Sequence, residues 1–268
     1  MTGCDNANGP KINRRGKVYI IGAGSGAPDL LTVRASRILA ESDVVFCDAL
    51  VNPEVTSLAT RAKVISVGKR CGHASTAQRF INRSLVGAAS RYAKVVRLKG
   101  GDPMIFGRAQ EEIDALKAAN IPFEVIPGIT AALAASADLG VSLTKRGVSR
   151  SVVFVTPRMG DNEPINNWVP PESMKATLVI YMAAKQSVLI RKALLNAGYK
   201  SATPAVFVEN ASLLNRHVFP TTIARIDEAA MRLGHGPAIL LIGEVCTSIA
   251  YQLDAALCDQ GSLTSLAY

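Results

Sequence analysis

Lys99-Gly100-Gly101-Asp102-Pro103-Met104-Ile105-Phe106-Gly107-Arg108 stands between two different hydrophobic patterns. Before it, Ala93-Lys94-Val95-Val96-Arg97-Leu98 is an apolar run of strand length. After it, from Arg108 to Ala119, the apolar residues Ala109, Ile113, Leu116 and Ala119 recur at helical spacing. The ten residues therefore form a loop at the carboxyl end of a strand, where open α/β sheets bind their ligands. Gly100 and Gly101 let main chain approach a ligand with no Cβ in the way. Asp102 is a fixed acceptor, Pro103 stiffens the turn, and Arg108 sets a permanent cation at its end.

The same alternation runs outward from this loop. Strands are predicted at Val18–Gly22, Val44–Cys47, Lys63–Val67, Val95–Leu98 and Phe123–Ile126, with helices at Leu30–Glu41, Pro53–Ala59, Thr76–Ser90 and Arg108–Ala119. That order describes a mostly parallel sheet covered by helices. Pro127-Gly128 interrupts it, and Ile129–Leu139 reads as a helix of small residues. Further strands are predicted at Ser151–Thr156, Thr177–Met182, Pro204–Val208, Val218–Phe219 and Ala238–Gly243, with helices at Gln186–Asn196 and Ile223–Leu233. Pro157–Pro171, rich in Pro, Gly, Asn and Asp, reads as a loop. The fold class expected is α/β in two domains. Residues 1–16 form a tail, 17–127 and 128–250 the domains, and 251–268 a second tail.

Composition narrows the function. The 268 residues are 49% hydrophobic, enough for a packed core. Five scattered cysteines without a Cys-x-x-Cys fit a reducing compartment, so a cytoplasmic location is expected, and neither a disulfide framework nor a thiolate metal site is. Three histidines far apart in sequence suggest no metal ligand set. No apolar run approaches the ~20 residues of a membrane span, and the polar N-terminus is not a signal peptide. The net charge of +9 divides as +7 over residues 1–126 and +2 over 127–268. The basic residues form no run and have no interleaved aromatics, so a small polyanionic substrate accounts for them better than a nucleic acid does.

Gly22-Ala23-Gly24-Ser25-Gly26-Ala27 follows a strand and opens a predicted helix, satisfying the dinucleotide pattern G-x-G-x-x-A. Asp48 closes the second strand about twenty residues on, where a ribose-binding acid would sit. A dinucleotide-dependent oxidoreductase is thus one reading. Pro28 weighs against it, because it perturbs the first turn where a pyrophosphate needs free N–H groups.

The Lys99–Arg108 string resembles the tetrapyrrole methylase superfamily, and within it the uroporphyrinogen-III C-methyltransferases. Val18 to Thr32, Cys47-Asp48-Ala49-Leu50-Val51, Gly68-Lys69-Arg70-Cys71-Gly72-His73, Val125 to Ala131, Leu143-Thr144-Lys145-Arg146, Tyr181-Met182-Ala183 and Pro237 to Val245 match in the same order. The resemblance spans residues 17 to 247. It implies two α/β domains with the active site in the cleft between them, S-adenosyl-L-methionine as cofactor and S-adenosyl-L-homocysteine as product. It also implies a homodimer. The expected reaction is methylation of uroporphyrinogen III at carbons 2 and 7 to give precorrin-2, on the way to sirohaem or cobalamin. A methyltransferase of a later precorrin is the neighbouring alternative. Because the chain ends where the pattern ends, no fused oxidase or chelatase domain is expected. Asp-Ala-Leu-Val and Tyr-Met-Ala are similar to the cobalamin-pathway branch. Departures from the family pattern include Ala49 for a frequent Arg, Ser25 for Pro, Ala27 for Asp and Lys145 for His, with Thr156-Pro157-Arg158 in place of Thr-Gly-His.

In-line methyl transfer requires alignment, which contributes ~7–11 kcal/mol in well-oriented reactions. By resemblance, the cofactor contacts fall on Ser25, Gly100, Gly101, Asp102, Ile105, Thr130, Ala131, Met182, Ala211 and Ala238. Thr130 also reads as a helix N-cap. Lys69, Arg70, Leu50 and Phe106 are implied on the substrate side. Asp48, Arg108, Glu111 and Arg146 are implied for catalysis, with Glu111 able to pair with Arg108 at i,i+3. A guanidinium stays protonated, so Arg108 reads as a positioning cation. The base that takes the ring-bridging proton is left among Asp48, Glu111, a substrate carboxylate and water.

Overall fold

The computed structural model describes residues 15–68, 74–157 and 168–249, with main chain alone at 74–77. Lys69 and Arg70, the middle of the 157–171 loop, residues 1–14 of the first tail and all of the second lie outside the described residues. The chain divides into two compact units, one holding Thr32–Pro127 and the residues up to Gly22, the other holding Ala23–Leu31 and the residues from Gly128.

In the first unit the elements are β1 (Lys17–Gly22), α1 (Val33–Ala40), β2 (Val44–Cys47), α2 (Pro53–Ser57), β3 (Lys63–Ser66), α3 (Ala74–Ala89), β4 (Lys94–Lys99), α4 (Ala109–Ala118) and β5 (Phe123–Ile126). The sheet order is β3-β2-β4-β1-β5, parallel throughout. All four residues of β2 and five of the six in β4 are buried, as parallel strands covered on both faces must be. Val18, Ile20, Val44, Phe46 and Val95 pack with Ile81 and Leu85 of α3 and with Ile113 and Leu116 of α4. Side chains alternate along a strand, so Arg97 and Lys99 share the face of Val95. Two cations are thereby carried into the core layer.

The second unit contains α5 (Ala131–Leu139), β6 (Val152–Val155), β7 (Thr177–Tyr181), α6 (Ser187–Asn196), β8 (Pro204–Glu209), β9 (His217–Thr222), α7 (Ile226–Met231) and β10 (Ala238–Ile242). Its sheet, β6-β7-β10-β8-β9, is mixed, since only β6 and β7 run parallel. Ile190 and Leu194 of α6 and Ile226 and Ala229 of α7 pack with Leu178, Ile180, Phe207 and Leu240. Ala132, Ala134 and Ala135 of α5 pack with Val179, Val206, Val208 and Leu241, which alternate onto the other face.

Four predicted elements change, one of them the helix at Ile223–Leu233, which is a 3-10 turn, Ile223–Arg225, followed by α7. The helix at Leu30–Glu41 is a three-residue 3-10 turn, Pro28–Leu30, followed by α1. Leu31 and Thr32 are extended between them, and Thr32 Oγ1 caps α1 by accepting the Ala35 N–H at 3.2 Å. The helix expected from Ile129 begins at Ala131, after an extended Thr130. The two-residue strand Val218–Phe219 is six residues long, because β9 is an edge strand and tolerates Pro220.

Cys47 and Cys246 are buried. Desolvation raises the Cys47 thiol above its ordinary range and pushes Cys246 up to about 12. Thiolate is the reactive form, so iodoacetamide at about pH 8 should leave both unmodified in the native protein and label both after unfolding. Peptide mass mapping reads the result; rapid native labelling of either would contradict this packing.

Candidate active site

Asp48 directly follows β2, and its N–H donates to Leu98 O of β4 at 3.2 Å. Its carboxylate reaches back into the core layer. Arg97 Nη2 donates to Asp48 Oδ1 at 2.5 Å, and Arg97 Nε donates to Glu112 Oε1 of α4 at 2.9 Å. Arg97 Nη1 donates to Phe46 O at 3.3 Å and Leu98 O at 3.2 Å. Lys99 Nζ donates to Glu112 Oε1 at 3.1 Å and lies 3.9 Å from Asp48 Oδ2. Gln78 of α3 also donates to Glu112 Oε1, at 3.1 Å. Arg97, Lys99 and Glu112 are buried, whereas the Asp48 side chain is 29% exposed. Desolvation, and then the charge on Arg97, pull Lys99 below the usual lysine range. Desolvation opposes the charge on Arg97, but Glu112 and Asp48 outweigh it and raise that group further.

The loop between β4 and α4 sits on this cluster. Gly101 has φ +66°, a conformation natural to glycine. Asp102 Oδ1 accepts the Met104 N–H at 2.8 Å, so one of its oxygens closes the turn. A Cβ on Gly107 would stand 2.6 Å from Pro103 O and 3.2 Å from Lys99 Cε, so the loop closes on itself above the lysine stem. A Cβ on Gly100 would stand 3.2 Å from Leu50 Cβ. Leu50 and Phe106 are exposed apolar side chains. Phe106 and Arg108 hold φ of +51° and +55°, a left-handed conformation uncommon outside glycine. Arg108 stands at the N-cap of α4 and grips Glu111 with both ends of its guanidinium, Nε to Oε1 at 2.6 Å and Nη2 to Oε2 at 2.9 Å. The expected i,i+3 pair is therefore formed.

In the second unit, Thr130 occupies the N-cap of α5, but its hydroxyl does not cap the helix. Thr130 Oγ1 lies 2.6 Å from Tyr181 Oη instead, so the capping role read from sequence is corrected. Ala131 opens α5, and Ala238 opens β10 opposite Glu209 of β8. Met182, just past β7, is exposed with φ +57°. Asn210 and Ser212 are also left-handed, at +54° and +69°, and buried Ala211 lies between them. Ser25 Oγ donates to Ser212 Oγ at 2.8 Å, and the Ala27 N–H donates to the same hydroxyl at 3.2 Å. The Ser212 N–H donates to Asp138 Oδ2 at 2.6 Å, and Arg216 pairs with Asp138 at 3.1 Å. Arg146 is exposed, in the turn closed by the Lys145–Ser149 bridge.

This geometry removes the dinucleotide reading. A pyrophosphate needs free amides at the start of a helix. Here the Ala27 amide is engaged by Ser212, and the next turn has only three residues and begins with Pro28. A Cβ on Gly26 would fall 2.9 Å from Leu213 Cδ2, so that glycine serves a close protein contact.

Arg97, Lys99 and Glu112 escaped the sequence reading. Their signal was present: Arg97 and Lys99 alternate onto the same strand face as Val95, and cations on a buried face need counter-charges. The neighbouring glutamates should respond oppositely to substitution. Glu111, exposed and paired at the surface, should cost less than about 1 kcal/mol as Glu111→Gln. Glu112→Ala uncovers Arg97 and Lys99 in the core and should cost about 3–5 kcal/mol. Urea unfolding of both variants checks this, and equal costs would contradict it.

A family model of tetrapyrrole (corrin/porphyrin) methylases matches residues 17–227. The chain is 42% identical over 238 residues to a uroporphyrinogen-III C-methyltransferase of Pseudomonas aeruginosa, covering 88% of this chain and 97% of that protein. It is 43% identical over 235 residues to a siroheme synthase of Psychrobacter cryohalolentis, covering 87% of this chain and 45% of that protein. The chain thus spans about half the length of the siroheme synthases it matches. Among solved structures it is similar to a uroporphyrin-III C-methyl transferase from Thermus thermophilus complexed with S-adenyl homocysteine. That match has a TM-score of 0.73 and 36% identity, over 87% of this chain and 100% of that one. The chain belongs to the tetrapyrrole (corrin/porphyrin) methylase family.

Proposed function

We propose that this protein transfers two methyl groups from S-adenosylmethionine to uroporphyrinogen III, at carbons 2 and 7, giving precorrin-2. The observation that carries the proposal is Asp48. It is the exposed end of a buried charge cluster, at the carboxyl end of a sheet and beside a glycine loop. The identity with the Pseudomonas aeruginosa methyltransferase over nearly its whole length supports the same reading.

The residues assigned to the cofactor suit it. Gly100, Gly101, Ala131, Ala211 and Ala238 offer main chain and small side chains. Ser25, Asp102, Ile105, Thr130 and Met182 complete the set, which has no cation of the kind a phosphate would need. When bound, S-adenosylmethionine supplies an electrophilic methyl group on a sulfonium. Leu50 and Phe106 offer apolar surface to the tetrapyrrole. Arg108 and Arg146 offer cations to its carboxylates, where charge-assisted bonds contribute about 1.5–3 kcal/mol each. Lys69 and Arg70 carry the same assignment by resemblance and lie outside the described residues.

The methyl group adds to a pyrrole carbon, and a ring-bridging carbon then gives up a proton. Asp48 is the acceptor assigned to that proton. Glu111 is held by Arg108 through both oxygens, which favours Asp48 over it. Arg108 stays a guanidinium and acts through its field. The reading also includes a homodimer in the cytoplasm, on the strength of the family resemblance.

Anaerobic incubation with uroporphyrinogen III and methyl-labelled S-adenosylmethionine tests the proposal by product mass. A gain of two methyl groups is expected, with Asp48→Asn at least a hundredfold slower and Arg108→Ala weakened mainly in KM for the tetrapyrrole. Bound S-adenosylhomocysteine without methyl transfer would redirect the enzyme to a later precorrin.

A further inference from the structure

The proton-acceptor role proposed for Asp48 leaves Arg97, Lys99 and Glu112 without one. A cluster of four charges, three of them buried, is an expensive way to hold a sheet to a helix, since apolar residues of similar volume often hold as well or better. Two details mark this cluster as more than packing. It ends at a carboxylate that reaches solvent. It also leaves Glu112 Oε2 buried with no hydrogen-bond partner among the described residues.

Arg97 is fixed on three sides. Nη1 is held by carbonyls from two adjacent strands, Phe46 O of β2 and Leu98 O of β4, and Nε is held by Glu112. These contacts leave Nη2 with one direction, and Asp48 Oδ1 lies along it at 2.5 Å. Oδ2 keeps the longer 3.9 Å approach of Lys99 Nζ. A lysine at position 97 keeps the charge but lacks the planar fork that meets two carboxylates and two carbonyls together.

We propose that Arg97, oriented by Glu112, is a positioning residue that sets the direction in which Asp48 presents Oδ2 to the tetrapyrrole. This rests on the reading of Asp48 as the proton acceptor. Displacing a reacting group by about 1 Å can cost a hundredfold in rate. The expected effect is thus on turnover, with cofactor binding spared.

The test is a double-mutant cycle on the full chain, with kcat from the anaerobic methylation assay and S-adenosylhomocysteine affinity from calorimetry. Arg97→Lys should lower kcat about tenfold to a hundredfold and leave the dissociation constant within about twofold. In an Asp48→Asn background the same substitution should lower kcat less than about twofold, because groups acting as a unit are non-additive. A full multiplicative loss in that background would overturn the proposal, as would wild-type kcat in Arg97→Lys with Asp48→Asn slow. Asp48→Asn with wild-type kcat would instead remove the underlying reading. If Asp48→Asn is too slow to measure, the kcat and affinity of Arg97→Lys decide alone. If Arg97→Lys does not fold, Glu112→Gln, which keeps the shape and removes the charge that holds Nε, should give the same non-additive pattern, and an additive loss overturns the proposal.

Discussion

Arg97 and Lys99 cannot lie in the core layer of the first unit without Asp48 and Glu112. Stripping an ion of water costs several kcal/mol, and losing one partner of a buried pair costs about 3–5 kcal/mol. That requirement fixes more than the four side chains. Glu112 ties α4 to β4, and Asp48 ties the end of β2 to the same strand. The Lys99 stem lies under Gly107, so the loop from Gly100 to Arg108 is set on a base of paired charge. Its main chain then presents two left-handed residues, Phe106 and Arg108, that an unsupported loop would relax.

The second unit reaches a comparable result by other means. Among the described residues, the non-glycine left-handed conformations other than Asn120 and Lys175, which end helical segments, are Phe106, Arg108, Met182, Asn210 and Ser212. Each costs of order 1–3 kcal/mol and persists where its surroundings over-determine it. Ser212 is over-determined by Ser25, Ala27 and Asp138, which makes the glycine-rich segment a brace for the 210–213 turn. All five lie in, or next to, residues that the family resemblance assigns to cofactor, substrate or catalysis. Strain located there is what a preorganised site requires.

Much of this was legible in the sequence. Parallel strands buried on both faces write themselves as apolar runs, so Val44–Cys47 is legible to the residue. The Arg108–Glu111 pair followed from helical spacing alone. The antiparallel pairing of β7, β8, β9 and β10 was not legible, because strand direction depends on connections rather than periodicity. The Gly22–Ala27 segment is legible as a glycine loop after a strand but ambiguous in purpose. A glycine needed for a phosphate and one needed for Leu213 leave the same letters. The Arg97 cluster was missed because partners far apart in sequence, such as Asp48 and Glu112, meet only once the sheet is built.

In the function proposed above, the loop after β4 and the charge cluster beneath it serve an adenosylmethionine-dependent methylation. Amide hydrogen exchange with and without S-adenosylhomocysteine tests it most directly. Slowed exchange is expected at Gly100 to Ile105 and at Ala131, with any change near Ser25 accompanying it. Protection confined to Gly22–Ala27, or protection by a nicotinamide dinucleotide in place of S-adenosylhomocysteine, would contradict it.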